Sequence, residues 1–572
     1  MVRIPPYHRN GPVYRRRPGS GILAGWILLW AAATGCSKGS GSAPPPPGPV
    51  QSFYFSRASV GTQAGTSFYG VAIAPQVTIS FTAPVDRTSA ASQFILRDAG
   101  GVSLPVDLAF ADGDSSIRLS PHAALQYLSR YTISVGAGLL SRGQTRLGTS
   151  LQLSLMTALD SSDKFPAVSD SALLDKVQQQ TFRYFWDFAH PVSGLARERT
   201  TSGDLVTTGG SGFGVMALLV GIHRQFITRT QGLDRMTRIV HFLAGQATTY
   251  HGAFPHWMNG TTGATIPFSP NDDGADLVET AYLMQGLLCA RQFFDGTDSA
   301  EAGLRSTIDT LWNRVEWDWF TQGGQQQLYW HWSPDKGWVM NMPIKGWDEA
   351  LITYVLAASS QDHAIDAAVY QNGWAQQGAI RNGNSYYNFV LPLGPTLGGP
   401  LFFSQYSFLG LDPNGLTDAY ADYLQQVTNH TLIQYSYCQA NPRNYYGYSD
   451  ACWGLTASDD PAGYAVHDPM QDNGVVSPTA ALSSFPYTPQ ASMKALAFFY
   501  YKLGDRLWGP YGFKDAFRLQ DGWFDNDYLA IDQGPILVMI ENYRSGLLWN
   551  LFTSCPEVRT GLVRLGFQAP YL

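Results

Sequence analysis

Two hydrophobic rhythms divide the chain. Between Ser52 and Leu159 apolar and polar residues alternate in short runs: Val77-Thr78-Ile79-Ser80-Phe81, Ser116-Ile117-Arg118-Leu119, Tyr131-Thr132-Ile133-Ser134-Val135 and Leu151-Gln152-Leu153-Ser154-Leu155. Alternation puts successive side chains on opposite faces of an extended backbone, so each run predicts a half-buried strand, and the Gly, Asp and Pro residues between runs predict turns. Residues 52–160 are therefore expected to form a small all-β sandwich. From about Ser169 the period lengthens. Leu173, Leu174, Val177, Phe182, Phe185 and Phe188 share one helical face, and comparable segments follow near 212–228, 232–248, 275–295, 301–317, 347–359, 415–432, 488–503 and 532–552. Paired helices joined by long Gly-, Pro- and aromatic-rich loops over 169–572 predict an α/α toroid of about six hairpins, with the binding site on one rim.

Neither rhythm covers the first 51 residues. Arg15, Arg16 and Arg17 precede an apolar run from Gly21 to Ala33, too short for a stable membrane span, which reads as a signal peptide. The run ends in Ala33-Thr34-Gly35-Cys36, which resembles the lipobox of bacterial lipoproteins, so residues 1–36 are expected to be a lipoprotein signal with Cys36 lipidated. The position three before the cysteine is usually Leu and here is Ala33; ordinary cleavage leaving a free Cys36 is the alternative. Residues 37–51, with Pro44 to Pro47, predict a stiff extended linker. Lys38, rather than an acid, after Ser37 points to outer-membrane sorting. The expected location is thus outside the cytoplasm, as a periplasmic or cell-surface lipoprotein that meets the membrane only through its anchor.

Composition narrows the ligand. Charged residues make up 14% of the chain and aromatics 13%, and the net charge is -7, so a nucleic-acid partner is not expected. Rings and carboxylates suit a neutral polyhydroxylated ligand, whose CH faces stack and whose hydroxyls bond to acids. Beyond Cys36 only Cys289, Cys438, Cys452 and Cys555 remain; Cys438 with Cys452 is the one pairing an oxidising compartment suggests, and no zinc spacing is present. No cofactor or metal is expected, and the protein is expected to be a monomer.

The densest acid cluster is Asp272-Asp273-Gly274-Ala275-Asp276-Leu277-Val278-Glu279. If a helix starts here, Asp272, Asp276 and Glu279 line one face near its N-terminus. A cap needs one such carboxylate, and four acids in eight residues exceed that need. A calcium loop fails, because Ser269 and Thr280 would stand where an EF-hand requires carboxylates. The second candidate is Trp347-Asp348-Glu349, before the apolar "ALITYVLAAS": Asp348 is explained as a cap, and Glu349 beside Trp347 would lose hydration and become a general acid near neutral pH. A second capping acid is the plain reading of the same residues. Aromatic loops at 254–257, 329–332, 445–448 and 523–524 serve equally as stacking platforms or loop packing. Candidate substrate contacts are His256, Trp257, Trp332, Trp347, Tyr446 and Arg197. Gly212-Phe213-Gly214-Val215-Met216-Ala217 mimics a dinucleotide motif, but no strand of a βαβ unit precedes it; its small residues suit a close helix approach.

The blocks "TFRYFWDFAHPVSGLARER", "TTGGSGFGVMALLVG", "GAFPHWMNGTTG", "NDDGADLVETAYLMQGLL", "GWDEALITYVLA", "ACWGLTASDDPAGY" and "YGFKDAFRLQDGWFDNDYLAIDQGP" together resemble the bacterial glycoamylase-like family that includes the endo-β-1,2-glucanases. The strand runs resemble the bacterial Ig-like domains that precede exported catalytic domains, where a spacer is the plain role. The first resemblance implies an (α/α)6 barrel, inverting endo-hydrolysis of β-1,2-glucan to sophorooligosaccharides, and essential acids at Asp272, Asp276 and Glu349. The local surroundings assign Glu349 as acid and Asp272 or Asp276 as base acting through water. The alternatives are an exo-acting or differently linked β-glucan hydrolase on the same barrel, and a non-catalytic glycan-binding lipoprotein.

Overall fold

The computed structural model describes residues 52–572; the segments read above as signal peptide and linker, and Cys36, lie outside them. The alternating runs build two five-stranded sheets. One orders Gln63–Ala64, Phe55–Val60, Val77–Phe81, Ser116–Pro121 and Val106–Ala111; the other orders Ser67–Val71, Leu151–Thr157, Arg130–Val135, Phe94–Asp98 and Ser103–Leu104. Registers such as Ile79↔Ile117 and Leu153↔Ile133 set the apolar member of each run opposite another, and these side chains fill the space between the sheets.

From Asp170 onward the chain is mainly helical, in two kinds of helix. Thr208–His223, Leu277–Phe293, Leu351–Ser359 and Ala530–Ser545 are buried on nearly every side. Asp170–Trp186, Arg229–Gly245, Ser299–Asn313 and Pro556–Leu565 bury one face only. The one-faced helices pack on the enclosed ones, 170–186 on 530–545, 229–245 on 208–223, 299–313 on 277–293 and 556–565 on 351–359, and 229–245 also packs on 299–313. A helix apolar all round must be enclosed, and an amphipathic one must cover it, so the sequence itself sorts the layers. Among the described residues no helix is long and apolar enough to cross a membrane.

The helix predicted over 212–228 begins earlier, at Thr208, because its glycine run is buried against a neighbour and does not form a loop. A Cβ on Gly212 would overlap the Tyr282 carbonyl and lie 2.6 Å from Leu283 Cα, and one on Gly286 would overlap the Gly212 carbonyl. The two enclosed helices therefore cross backbone to backbone, the close approach read from the small residues. We expect Gly212→Ala to cost about 2–4 kcal/mol through overpacking, measured as a lower urea midpoint with unchanged slope. The segment predicted over 532–552 is two helices, broken where Gly546 turns left-handed at φ 69°.

The sandwich is packed onto the helical domain. Leu128 and Met156 join a buried cluster with Trp453, Phe517 and Leu519, and Arg506 donates to the Leu128 and Tyr127 carbonyls at 3.1 and 3.2 Å. Cys289, Cys438, Cys452 and Cys555 are buried free thiols, so the Cys438–Cys452 pairing is not formed.

Candidate active site

The acid cluster folds around the start of the helix Leu277–Phe293. Asp276 is its N-cap: Oδ1 accepts the Val278 and Glu279 amides at 3.0 and 2.9 Å. Its Oδ2 meets His256 Nδ1 at 2.9 Å. The two-residue strand Ala275–Asp276 pairs with His331–Trp332 and so delivers His331, whose Nδ1 is 3.7 Å from Asp276 and 3.4 Å from Asp272. Asp272 sits before the helix, in a turn closed by Ser269, and does not share a helical face with Asp276. One ligand-capable atom each of His256, Asp272 and Asp276 lies within 4.8 Å of the others.

Glu279, in the first turn, reaches the neighbouring enclosed helix, where its Oε2 accepts the Gly209 amide at 2.6 Å. That amide is one of the unpaired donors of a helix N-terminus. Burial, with Asp276 nearby, nevertheless pushes the Glu279 carboxyl up. Burial would also raise Asp276, but the His256 hydrogen bond and the positive field of His331 hold it below the ordinary range. Burial alone would lower His256; Glu279, Asp276 and Asp272 outweigh it and push the imidazole up to about 10. The result is a buried carboxylate and imidazolium locked together.

Glu349 precedes its helix, which starts at Leu351, and lies in a turn whose Asp348 Oδ1 accepts the Ala350 amide at 2.8 Å. Its carbonyl is fixed by Ser407 Oγ at 2.5 Å and Tyr282 OH at 3.4 Å. Burial first, then the negative Asp276 and Glu279, push the Glu349 carboxyl up to about 7. The Tyr406 phenol, raised by burial, stands within the fields of Glu349 and Tyr282 and also of Asp532 and Tyr464.

Those last groups belong to a second acidic wall that sequence reasoning missed. Arg199 donates to Glu198 at 3.0 Å and to Asp459 at 2.7 Å; the Asp459 amide donates to Asp515 at 2.7 Å. Asp525 is pushed up to about 6 and Asp532 to about 8, each by burial first. Its members come from residues 198–199, 459, 515, 525 and 532, so no spacing in the sequence joins them; the only signal was the density of acids in the two C-terminal blocks.

The predicted substrate contacts divide. His256 and Trp257 stand at the site, the Trp257 ring 5.7 Å from His256 and 4.7 Å from the exposed Phe268. Trp332 lies on the other side of its strand from His331, packed with Trp319 at 5.3 Å and His251 at 5.4 Å. Three of the others pack against the protein itself. Trp347 is 4% exposed, enclosed by Trp374, Phe408 and Tyr423, so its ring belongs to the core. Tyr446 stacks on Tyr69 of the sandwich and accepts the Leu159 amide at 3.1 Å, because its loop faces the other domain. Arg197 stacks on Phe188 at 4.8 Å, and the guanidinium among the acids is that of Arg199.

Carboxyls of opposite protonation at the starts of enclosed helices, beside an aromatic wall, are the equipment of a glycoside hydrolase. The profile of the family described as "Putative glucoamylase" matches residues 341–556, and that of a bacterial Ig-like domain matches 60–154. An endo-beta-1,2-glucanase of Chitinophaga pinensis, solved with sophorotriose and glucose, is 52% identical over 71% of this chain and 100% of its own, with a TM-score of 0.70. A beta-1,2-glucanase structure from Parabacteroides distasonis is 38% identical over 92% of this chain and 74% of its own, with a TM-score of 0.68. The exo beta-1,2-glucooligosaccharide sophorohydrolase (non-reducing end) of Parabacteroides distasonis is 47% identical over 420 residues, 70% of this chain and 58% of the relative, so the match spans less than two thirds of that protein. The chain belongs to the glycoamylase-like family of glycoside hydrolases and carries an N-terminal Ig-like domain.

Proposed function

We propose that the protein hydrolyses β-1,2-glucan internally, releasing sophorooligosaccharides with inversion, on an (α/α)6 toroid whose enclosed helices present the site. The observation that carries this reading is a Glu349 carboxyl raised to about 7 within the field of an Asp276 carboxylate that is held ionised. Inverting cleavage needs one acid to protonate the leaving oxygen and one base to activate water on the opposite face of the sugar. Glu349 supplies the proton. The Asp272–Asp276 pair, with His256 and His331 fixing its charge, takes the proton from water. Trp257 and Phe268 offer ring faces to a glucosyl unit. The linkage rests on the identity with the Chitinophaga pinensis enzyme over that enzyme's whole length.

A second reading, exo-release of sophorose, is favoured by the 47% identity with the Parabacteroides distasonis sophorohydrolase. Early products from linear β-1,2-glucan separate the two. An endo enzyme gives a spread of oligosaccharides and a fast fall in mean chain length; sophorose alone with long chains persisting overturns the endo reading. Turnover only on β-1,3-, β-1,4- or α-1,4-glucan would overturn the linkage, and binding without turnover would leave a glycan-binding protein. We further propose export and lipidation at Cys36, read from the basic and apolar segments before it; a Cys36→Ser chain released in soluble form from membranes that retain the wild type is the expected result.

A further inference from the structure

The second acidic wall is short of positive charge. Glu198, Asp459, Asp515, Asp525, Asp527 and Asp532 gather around Arg199, whose contacts are to Glu198 at 3.0 Å, Asp459 at 2.7 Å and Asp527 at 3.9 Å. Several of these carboxylates have one oxygen satisfied and one left over. Asp459 Oδ2 takes Arg199 while Oδ1 is buried without a partner; Asp515 Oδ2 takes the Asp459 amide while Oδ1 is buried without a partner; Asp525 Oδ1 takes the Asn526 amide at 2.7 Å while Oδ2 is buried without a partner. Both oxygens of Asp532 are buried and unpartnered as well. Asp515 and Asp532 are only 2% and 1% exposed, so water does not solvate the difference.

One ligand-capable oxygen each of Asp459, Asp515 and Asp525 lies within 4.8 Å of the others. Arg199 is the guanidinium among them, and a sugar hydroxyl has a single proton to give, so oxygens left over on several carboxyls at once call for a centre that binds several oxygens together. We propose that Asp459, Asp515 and Asp525, with Asp532 behind them, bind a hard divalent cation, calcium by preference. An all-oxygen donor set from carboxylates excludes a soft metal, and ligands drawn from a hairpin, a loop and a helix start give the irregular geometry that calcium tolerates and magnesium does not. The other convergence of acids, Asp272 and Asp276, already has His256 as its internal counter-ion and makes no such demand.

The site joins parts of the chain that have little else in common. Asp459 is on the hairpin Ala457–Asp460 and Gly463–Val466; Asp515 and Asp525 flank the paired segments Phe517–Arg518 and Trp523–Phe524; Asp532 is in the first turn of Ala530–Ser545. A cation here would tie the hairpin, which carries Tyr464, to the segments around Asp515 and Asp525 and to the helix start at Asp532. It would stabilise the folded chain by mass action.

The test uses the full-length protein, stripped with chelator, and calcium chloride as the probe. Titration is expected to raise Tm by at least about 3 °C with saturation at one ion per chain, and terbium bound at the site is expected to give sensitised emission that calcium displaces. Asp525→Asn, at the partly exposed edge of the cluster, is expected to fold and to lose at least tenfold in calcium affinity, with Asp515→Asn as the second variant. The proposal is overturned if the stripped wild type shows neither a Tm shift nor terbium emission with millimolar ions. It is equally overturned if both variants bind calcium as tightly as the wild type, which would put the ion elsewhere. Neither readout depends on hydrolysis, so the outcome is independent of the reaction proposed above.

Discussion

Glu349→Gln is expected to lower kcat on β-1,2-glucan by about 10³-fold, within the usual range for removal of a general acid, with KM little changed. The amide keeps the shape and the turn, since the contacts that fix this residue are to its backbone carbonyl. It removes the proton. The wild-type rate should fall as pH rises through about 7, where this carboxyl ionises, and the variant's residual rate should lack that limb. Stability supplies an independent check. A carboxyl raised from 4.5 to about 7 binds more protons in the folded than in the unfolded chain across that window, so folding weakens as pH climbs through it. Glu349→Gln should therefore match the wild-type Tm near pH 4.5 and exceed it at pH 8. A variant that is inactive and also less stable at pH 8 would mean that Glu349 is structural.

Asp276→Ala is expected to do the opposite to stability: lost activity together with a loss of about 3 kcal/mol, from an N-cap and a buried charge partner removed together. The pH dependence identifies which interaction is gone. Asp276 is held below its ordinary 3.8, so its contribution is present above that pH and fades as pH falls through the lowered value. His256 is raised from 6.5 to about 10, so its contribution is complete below 6.5 and is lost as pH rises toward 10. The wild type minus Asp276→Ala difference in unfolding free energy should accordingly be widest between about pH 4 and 6.5. A flat difference across pH 3 to 10 would reduce Asp276 to a neutral cap. Asp272→Asn, which has no cap to lose and keeps a side-chain oxygen facing His331 at 3.4 Å, should reduce activity while leaving Tm within a few degrees.

Much of this site was legible in the chain because its central acids are local. Asp272, Asp276 and Glu279 occupy eight residues, and Glu349 adjoins an apolar helix. Their surroundings were less legible. Trp347 beside Glu349 was read as a desolvating wall; burial does push the Glu349 carboxyl up, but the indole points into the core. Sequence adjacency does not say which way a side chain leaves a turn. His331, which closes the Asp272–Asp276 pair, arrives through a two-residue strand too short for any pattern to announce. The acidic wall was hidden for a different reason: Arg199 is 260 residues from Asp459 and Asp459 is 56 from Asp515, so the aspartates near the C-terminus meet the rest only when the chain folds. Tyr446 shows the same limit between domains: an aromatic loop looks alike whether it faces a sugar or another domain.

The hydrogen bond from Gly209 to Glu279 has a bearing on motion. It spans two helices that already touch backbone to backbone at Gly212 and Gly286, so sliding one past the other would strip a buried carboxyl of its donor and drive carbonyls into glycines. The helix start that carries Gly209 and the one that carries Asp276 and Glu279 are thus held as one rigid piece, and the acids keep their spacing when a substrate enters or leaves.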